Sequence, residues 1–127
     1  MITLYHGSSS IENLKSIVKN GFDLNKIGTG WGNTYGNGIY FTDNLKVAHE
    51  VYSNKNGYII EIIVEDKTYK LTKDYSVTNR SHKKEIKKIV STYIDTKKYN
   101  MLLTNSVEPE YILFDLSVIK SIKLVQI

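Results

Sequence analysis

Cysteine is absent from the 127 residues. That excludes disulfides, thiolate metal sites and a cysteine nucleophile. Histidine occurs three times, as His6, His49 and His82, with no His/carboxylate cluster at ligand spacing, so no metal site is expected. No apolar run approaches the roughly 20 residues of a membrane helix. Met1 to His6 has no basic stretch followed by a long apolar one, so no signal peptide is expected. Proline occurs once, at Pro109, and of the 17 basic residues only Arg80 is an arginine.

The hydrophobic share of 41% and charged share of 24% suit a packed core and disfavour disorder. The length predicts one domain, residues 1–127. The net charge of +4 would favour acidic partners, nucleic acid included. A chain rich in Asn, Lys, Ile and Tyr has the composition of an AT-rich coding sequence, however, and that weakens charge as a clue to function.

Residues 2–5 read as a short strand. Ser9, with Glu12 three residues on, fits a capping box for a helix carrying Ile11, Leu14, Ile17 and Val18 on one side. Gly21 is placed to end it. Five of the eight glycines fall between Gly28 and Gly38, in a loop that feeds a strand, Ile39-Tyr40-Phe41. Asp43 is a candidate cap for a second helix that turns Leu45, Ala48 and either Val51 or Tyr52 inward. Asn54-Lys55-Asn56-Gly57 is a turn signal. Tyr58 to Val64 reads as a central strand buried on both faces, with 67–72 as its partner. Ser81 opens a third helix. Its apolar face is Ile86, Ile89, Val90, Tyr93 and Ile94, and its wet face Lys83, Lys84, Lys87 and Lys88. Tyr111–Leu116 and Ile119–Val125 close the chain as strands. Strands arrive in runs, which predicts an α+β domain.

Three short pieces carry candidate chemistry. Leu4-Tyr5-His6-Gly7-Ser8 ends a strand on an imidazole and an unhindered backbone. Tyr35-Gly36-Asn37-Gly38-Ile39-Tyr40-Phe41 joins a glycine loop, which lets a ligand approach the backbone, to a strand that holds Tyr40. Glu108-Pro109-Glu110-Tyr111-Ile112-Leu113-Phe114 sets a carboxylate at the mouth of an apolar strand.

In this order and spacing the three pieces resemble the catalytic domain of ADP-ribosyltransferases of the poly(ADP-ribose) polymerase and diphtheria-toxin type, marked by a His, a Tyr and a Glu on separate strands. His6-Gly7-Ser8 resembles the first motif, Gly36-Asn37-Gly38-Ile39-Tyr40-Phe41 the second and Glu110-Tyr111-Ile112-Leu113-Phe114-Asp115 the third. Ile17 and Gly21-Phe22 fit the family's first helix and turn. The resemblance implies two small antiparallel half-sheets forming a central NAD cleft with a few flanking helices. It implies that His6 bonds the adenosine ribose and that the Gly7 backbone holds the nicotinamide carboxamide. Tyr40 would stack on the nicotinamide ring, with Gly38 beside it, and Glu110 would be the catalytic carboxylate. The family's second stacking Tyr falls where Val51 stands, so Tyr52 is its nearest candidate. The family's small hydroxyl residue ahead of that Tyr is replaced by Val47 and Ala48, and Ser8 is a partial substitute.

Glu108 mimics the first of two glutamates in the arginine-modifying toxins, which orients the acceptor. That branch begins with Arg where His6 stands, and it carries a Ser-Thr-Ser strand not found here. Glu108 and Trp31 are candidates for the acceptor side. The reading that follows is an NAD-dependent mono-ADP-ribosyltransferase acting on a macromolecule, protein first and nucleic acid second. Its size suggests a toxin or phage–host conflict effector, active in the cytoplasm of its own or a target cell and restrained by an antitoxin or inhibitor. The alternatives are an NAD glycohydrolase and an inactive NAD or ADP-ribose reader. The RNA 2′-phosphotransferase branch of the superfamily, rich in binding arginines, fits a chain with one arginine poorly.

Overall fold

The run Tyr58–Val64 is β-branched at five of its seven positions, and such side chains pack well on a pleated surface. In the computed structural model, which describes residues 1–23, 38–75 and 80–127, this run is the middle strand of a three-stranded antiparallel sheet. We number the strands β1 (Ile2–His6), β2 (Ile39–Phe41), β3 (Tyr58–Val64), β4 (Thr68–Lys70), β5 (Met101–Leu103), β6 (Tyr111–Leu113) and β7 (Ile119–Gln126). The first sheet runs β1-β3-β7 and the second β2-β6-β5-β4. The helices are α1 (Ile11–Asn20), α2 (Leu45–Val47, continued by a π-turn over Ala48–Tyr52) and α3 (Arg80–Ile89, continued by a π-turn over Val90–Ile94). The α+β class with two small sheets holds.

The chain forms two compact units. The first comprises Met1–Asp23, Phe41–Glu65 and Leu116–Ile127. Its core is built on β3, where Ile59, Ile60, Ile62 and Val64 are all fully buried. Adjacent buried residues face opposite sides of a strand, so β3 is covered on both faces, as its apolar run predicts. Leu14 and Ile17 bury the inner face of α1, while Val18 is exposed. The helix is capped by Ser10, not Ser9: Ser10 is extended, and its Oγ accepts the Asn13 N–H at 3.2 Å. Gly21 ends it at φ 82° and ψ 175°, a conformation open essentially to glycine alone, with its N–H on the Ile17 carbonyl at 2.7 Å.

The start of α2 is likewise one residue later than expected. Asn44, rather than Asp43, accepts the N–H groups of Lys46 and Val47 at 3.1 and 3.3 Å. Ala48 is buried as expected, but Leu45 is exposed. The turn at 54–57 forms with Asn54 and Lys55 both left-handed and Gly57 at φ 88°.

The second unit comprises Leu24–Tyr40 and Asp66–Asp115. Its core gathers Leu71, Tyr75, Ile86, Ile94, Leu102 and Ile112. The apolar face of α3 enters this core at Ile86 and Ile94, with Lys83, Lys84, Lys87 and Lys88 exposed. Tyr75 donates to Glu85 at 3.0 Å, and Lys73 lies 3.3 Å from the same carboxylate. Those two bonds, the tyrosine's first, hold the Glu85 carboxyl below its usual range.

Two expectations are corrected here. The segment 67–72 does not pair with β3. Its strand, β4, pairs with β5, and the pair is parallel, so the second sheet is not wholly antiparallel. The sequence pattern also passed over β5, whose Met101 and Leu102 are fully buried.

Truncating the central strand should be costly. Ile62→Ala is expected to lose about 2–5 kcal/mol, whereas Val51→Ala, at a site 64% exposed, should change stability by less than about 0.5 kcal/mol. Urea unfolding of both variants checks the contrast.

Candidate active site

In the first unit the site residues collect at the end of β1. Tyr5 exchanges both backbone hydrogen bonds with Thr42, at 2.8 and 2.9 Å. Backbone groups alternate sides along a strand, so His6, opposite Ile60, bonds toward β3. Continued one residue past β1, that alternation would bring the Gly7 N–H and C=O to the Tyr5 side. A donor and an acceptor side by side on one edge match the C=O and NH₂ of a primary carboxamide.

Gly7 must be glycine for a packing reason. A Cβ there would lie 2.5 Å from the Ala48 carbonyl oxygen and 2.7 Å from both Ser53 Oγ and Tyr52 Cβ. The strand end thus rests directly on the π-turn of α2. Ser8 is tied to the same place: its N–H donates to Ser53 Oγ at 3.2 Å, and its C=O accepts from Asn56 Nδ2 at 2.8 Å. Ser8 Oγ meanwhile accepts from the Ser10 N–H and Asn13 Nδ2, which joins it to the start of α1.

The His6 ring is half-buried between two phenylalanines. It meets Phe22 edge-on at 5.3 Å and Phe41 at 5.7 Å, and the two phenylalanines meet each other edge-on at 5.3 Å. Such edge contacts fix ring orientation. Phe22 comes from the Gly21-Phe22 turn, so the end of α1 sets the imidazole.

Tyr52 is half-buried, while Val51 is 64% exposed. The π-turn explains the difference. Ser53 N–H bonds the Ala48 carbonyl, five residues back, at 2.9 Å. A π-turn holds one residue more than an α-turn, so each side chain beyond it faces where its predecessor would otherwise face. Tyr52 therefore packs at Gly7.

In the second unit Tyr40 and Glu110 belong to neighbouring strands. Tyr40 is in β2, and Glu110 immediately precedes β6, the strand beside β2. The Tyr40 ring packs against the core of this unit with its hydroxyl buried. Gly38 is buried against β6: a Cβ would lie 2.3 Å from Ile112 Cγ2 and 3.2 Å from the Phe114 ring.

Thr104 fixes the Glu110 backbone from both sides. Its N–H donates to the Glu110 carbonyl at 2.9 Å, and its Oγ1 accepts the Glu110 N–H at 2.8 Å. Ser106 Oγ lies 3.0 Å from Thr104 Oγ1 and 3.1 Å from the Glu108 carbonyl oxygen, to which it donates. The β5–β6 loop is thereby closed, and Glu108 stands exposed on it.

Trp31 lies outside the described residues. Among those residues no group of three or more His, Asp or Glu could hold a metal ion, and no helix is long and apolar enough to cross a membrane. Sequence reasoning missed Ser53, Asn56 and Thr104. Asn56 sits in a turn signal and Thr104 at the edge of the polar Asn105-Ser106, which mark loops but not what they hold.

Thr104 ties the Glu110 backbone through both of its polar groups, and Thr104→Val tests the tie. The variant keeps the shape and removes the acceptor of the Glu110 N–H, so it should cost about 1–3 kcal/mol in urea unfolding.

The model of the poly(ADP-ribose) polymerase catalytic domain family matches residues 1–111, a span that includes His6, Gly7, Tyr40, Tyr52 and Glu110. No curated protein matches the chain.

Proposed function

The chain belongs to the poly(ADP-ribose) polymerase catalytic domain family, and on that premise we propose an NAD-dependent mono-ADP-ribosyltransferase that acts on a macromolecular acceptor. The family match, which spans the first two motifs and reaches Glu110 and Tyr111 of the third, is the observation that carries the reading. NAD supplies a positively charged nicotinamide that departs as a neutral molecule when its bond to ribose breaks.

The residues fit that co-substrate. Gly7 offers its N–H and C=O to the carboxamide. Tyr40 and Tyr52 offer aromatic faces to the charged ring. The half-buried position of Tyr52 beside Gly7 supports it over Val51 as the second ring. His6, its ring oriented by Phe22 and Phe41, bonds the adenosine ribose. Ser8 completes the binding set as a partial substitute for the family's small hydroxyl residue, and Gly38 as a glycine that lets the backbone approach the ligand. Glu110 sets its carboxylate against the nicotinamide ribose, where it stabilises developing positive charge and orients the 2′-hydroxyl.

Transfer of a single unit is favoured by how the chain is spent between Tyr40 and Glu110. The described elements there are α2, β3, β4, α3 and β5, which leaves little of that stretch to build a second site for a growing polymer. A protein is the first choice of acceptor and nucleic acid the second. Glu108, exposed two residues before Glu110, would orient the acceptor. The cytoplasm, where NAD is abundant, suits the reaction. The reading extends to a toxin or conflict effector, held in check by an inhibitor or antitoxin.

The test uses NAD labelled on its adenylate phosphate, cell lysate, and either the wild type or Glu110→Gln. Transfer should fall by on the order of 10²–10³ in the variant. Label released by protease identifies a protein acceptor, and label released by nuclease identifies DNA or RNA. NAD consumed without macromolecular label would replace this reading with a glycohydrolase. NAD left intact in several lysates would replace it with a reader.

A further inference from the structure

Ser53 is fully buried, yet it is the residue on which the end of β1 is hung. Its Oγ accepts the Ser8 N–H at 3.2 Å. The peptide bond between Gly7 and Ser8 is planar and trans, so its N–H and C=O point in opposite directions. Holding the Ser8 N–H on Ser53 therefore turns the Gly7 carbonyl the other way, away from Ser53. The direction of the carboxamide acceptor is set by a hydroxyl that cannot itself reach a ligand.

The surroundings of Ser53 are tied by hydrogen bonds. The π-turn places it, through its N–H on the Ala48 carbonyl at 2.9 Å. The following turn has two consecutive left-handed residues, Asn54 and Lys55, a costly conformation that persists where neighbours over-determine it. Lys55 N–H on the His49 carbonyl, Asn56 N–H on the Ser53 carbonyl and Gly57 N–H on His49 Nε2 do so, at 2.9, 3.0 and 3.1 Å. That turn in turn presents Asn56 Nδ2 to the Ser8 carbonyl at 2.8 Å. Both polar groups of Ser8's backbone are thus clamped by residues 53–56.

We propose that Ser53 is a positioning residue that orients the Gly7 carbonyl for the nicotinamide carboxamide, an inference that rests on the NAD reading above. It acts on one end of the ligand only. A ligand that carries the carboxamide should depend on Ser53, and one that lacks it should not.

The experiment measures, by calorimetry, the affinities of benzamide and of ADP-ribose for the wild type, Ser53→Ala and Ser53→Thr. Benzamide presents a carboxamide on an aromatic ring, and ADP-ribose has none. Ser53→Ala should weaken benzamide about tenfold, roughly the worth of one hydrogen bond, with ADP-ribose unchanged. Ser53→Thr, which keeps the hydroxyl, should restore part of the loss. Asn56→Asp removes the donor to the Ser8 carbonyl without changing shape and should act in the same direction if Ser53→Ala fails to fold. Amide hydrogen exchange should show faster exchange at Ser8 in Ser53→Ala, with Leu4 and Ile62 unaffected. Wild-type binding of both ligands with no selective loss of benzamide in the variants would overturn the proposal alone. Failure of the wild type to bind either ligand would overturn the NAD reading and this proposal with it.

Discussion

The hydrogen bond from the Ser8 N–H to the buried Ser53 hydroxyl joins the end of the first strand to the end of the second helix. It is available only because position 7 is glycine, since any Cβ there would meet Ala48, Tyr52 and Ser53 at once. It also depends on the π-turn, without which Ser53 and Tyr52 would each face elsewhere. One close approach thus decides which residue follows His6, which way the Gly7 carbonyl looks and which aromatic ring stands beside it.

The two halves of the proposed chemistry rest on different supports. While Tyr40 and Gly38 belong to the second unit, most of the residues assigned to ligand recognition, His6, Gly7, Ser8 and Tyr52, lie in the unit built on β3, whose Ile59 and Ile60 are buried on opposite faces. A strand of that kind resists local opening, so the edge beyond His6 is held by the most stable part of its unit. The carboxylate assigned to catalysis lies where the loop between β5 and β6 is tied shut by Thr104. Its strength would come from a fixed position, because an ionised group helps a developing charge most when no reorganisation is needed as the bond breaks.

Much of the architecture can be read from residue pattern. The β3 run, the amphipathic faces of α1 and α3, the turn at 54–57 and the three motifs all stand out locally, because each is a property of consecutive or periodically spaced residues. What escapes is nonlocal or shifted by one position. β4 lies next to β3 in the chain, but it finds its partner in β5, more than thirty residues on, a pairing decided by the core around Leu71 and Leu102. β5 itself is three residues long, too short for alternation to show. The helix caps fall at Ser10 and Asn44 because adjacent polar residues compete and backbone geometry chooses between them. Tyr52 takes the place expected of Val51 because a helix that changes pitch changes its register, and no spacing rule anticipates the extra residue. Ser53 and Thr104 carry no signal at all as single hydroxyl residues. Their importance lies in the backbone groups they meet.

The most direct test of the account is nuclear magnetic resonance of the isotope-labelled protein during titration with an NAD analogue whose ring–ribose bond is carbon-linked and cannot be cleaved. The account predicts that the Gly7 and Ser8 amides and the Tyr40 and Tyr52 rings shift together along one saturable curve. Shifts confined to other residues, or no shift at Gly7 and Ser8 at saturation, would contradict it.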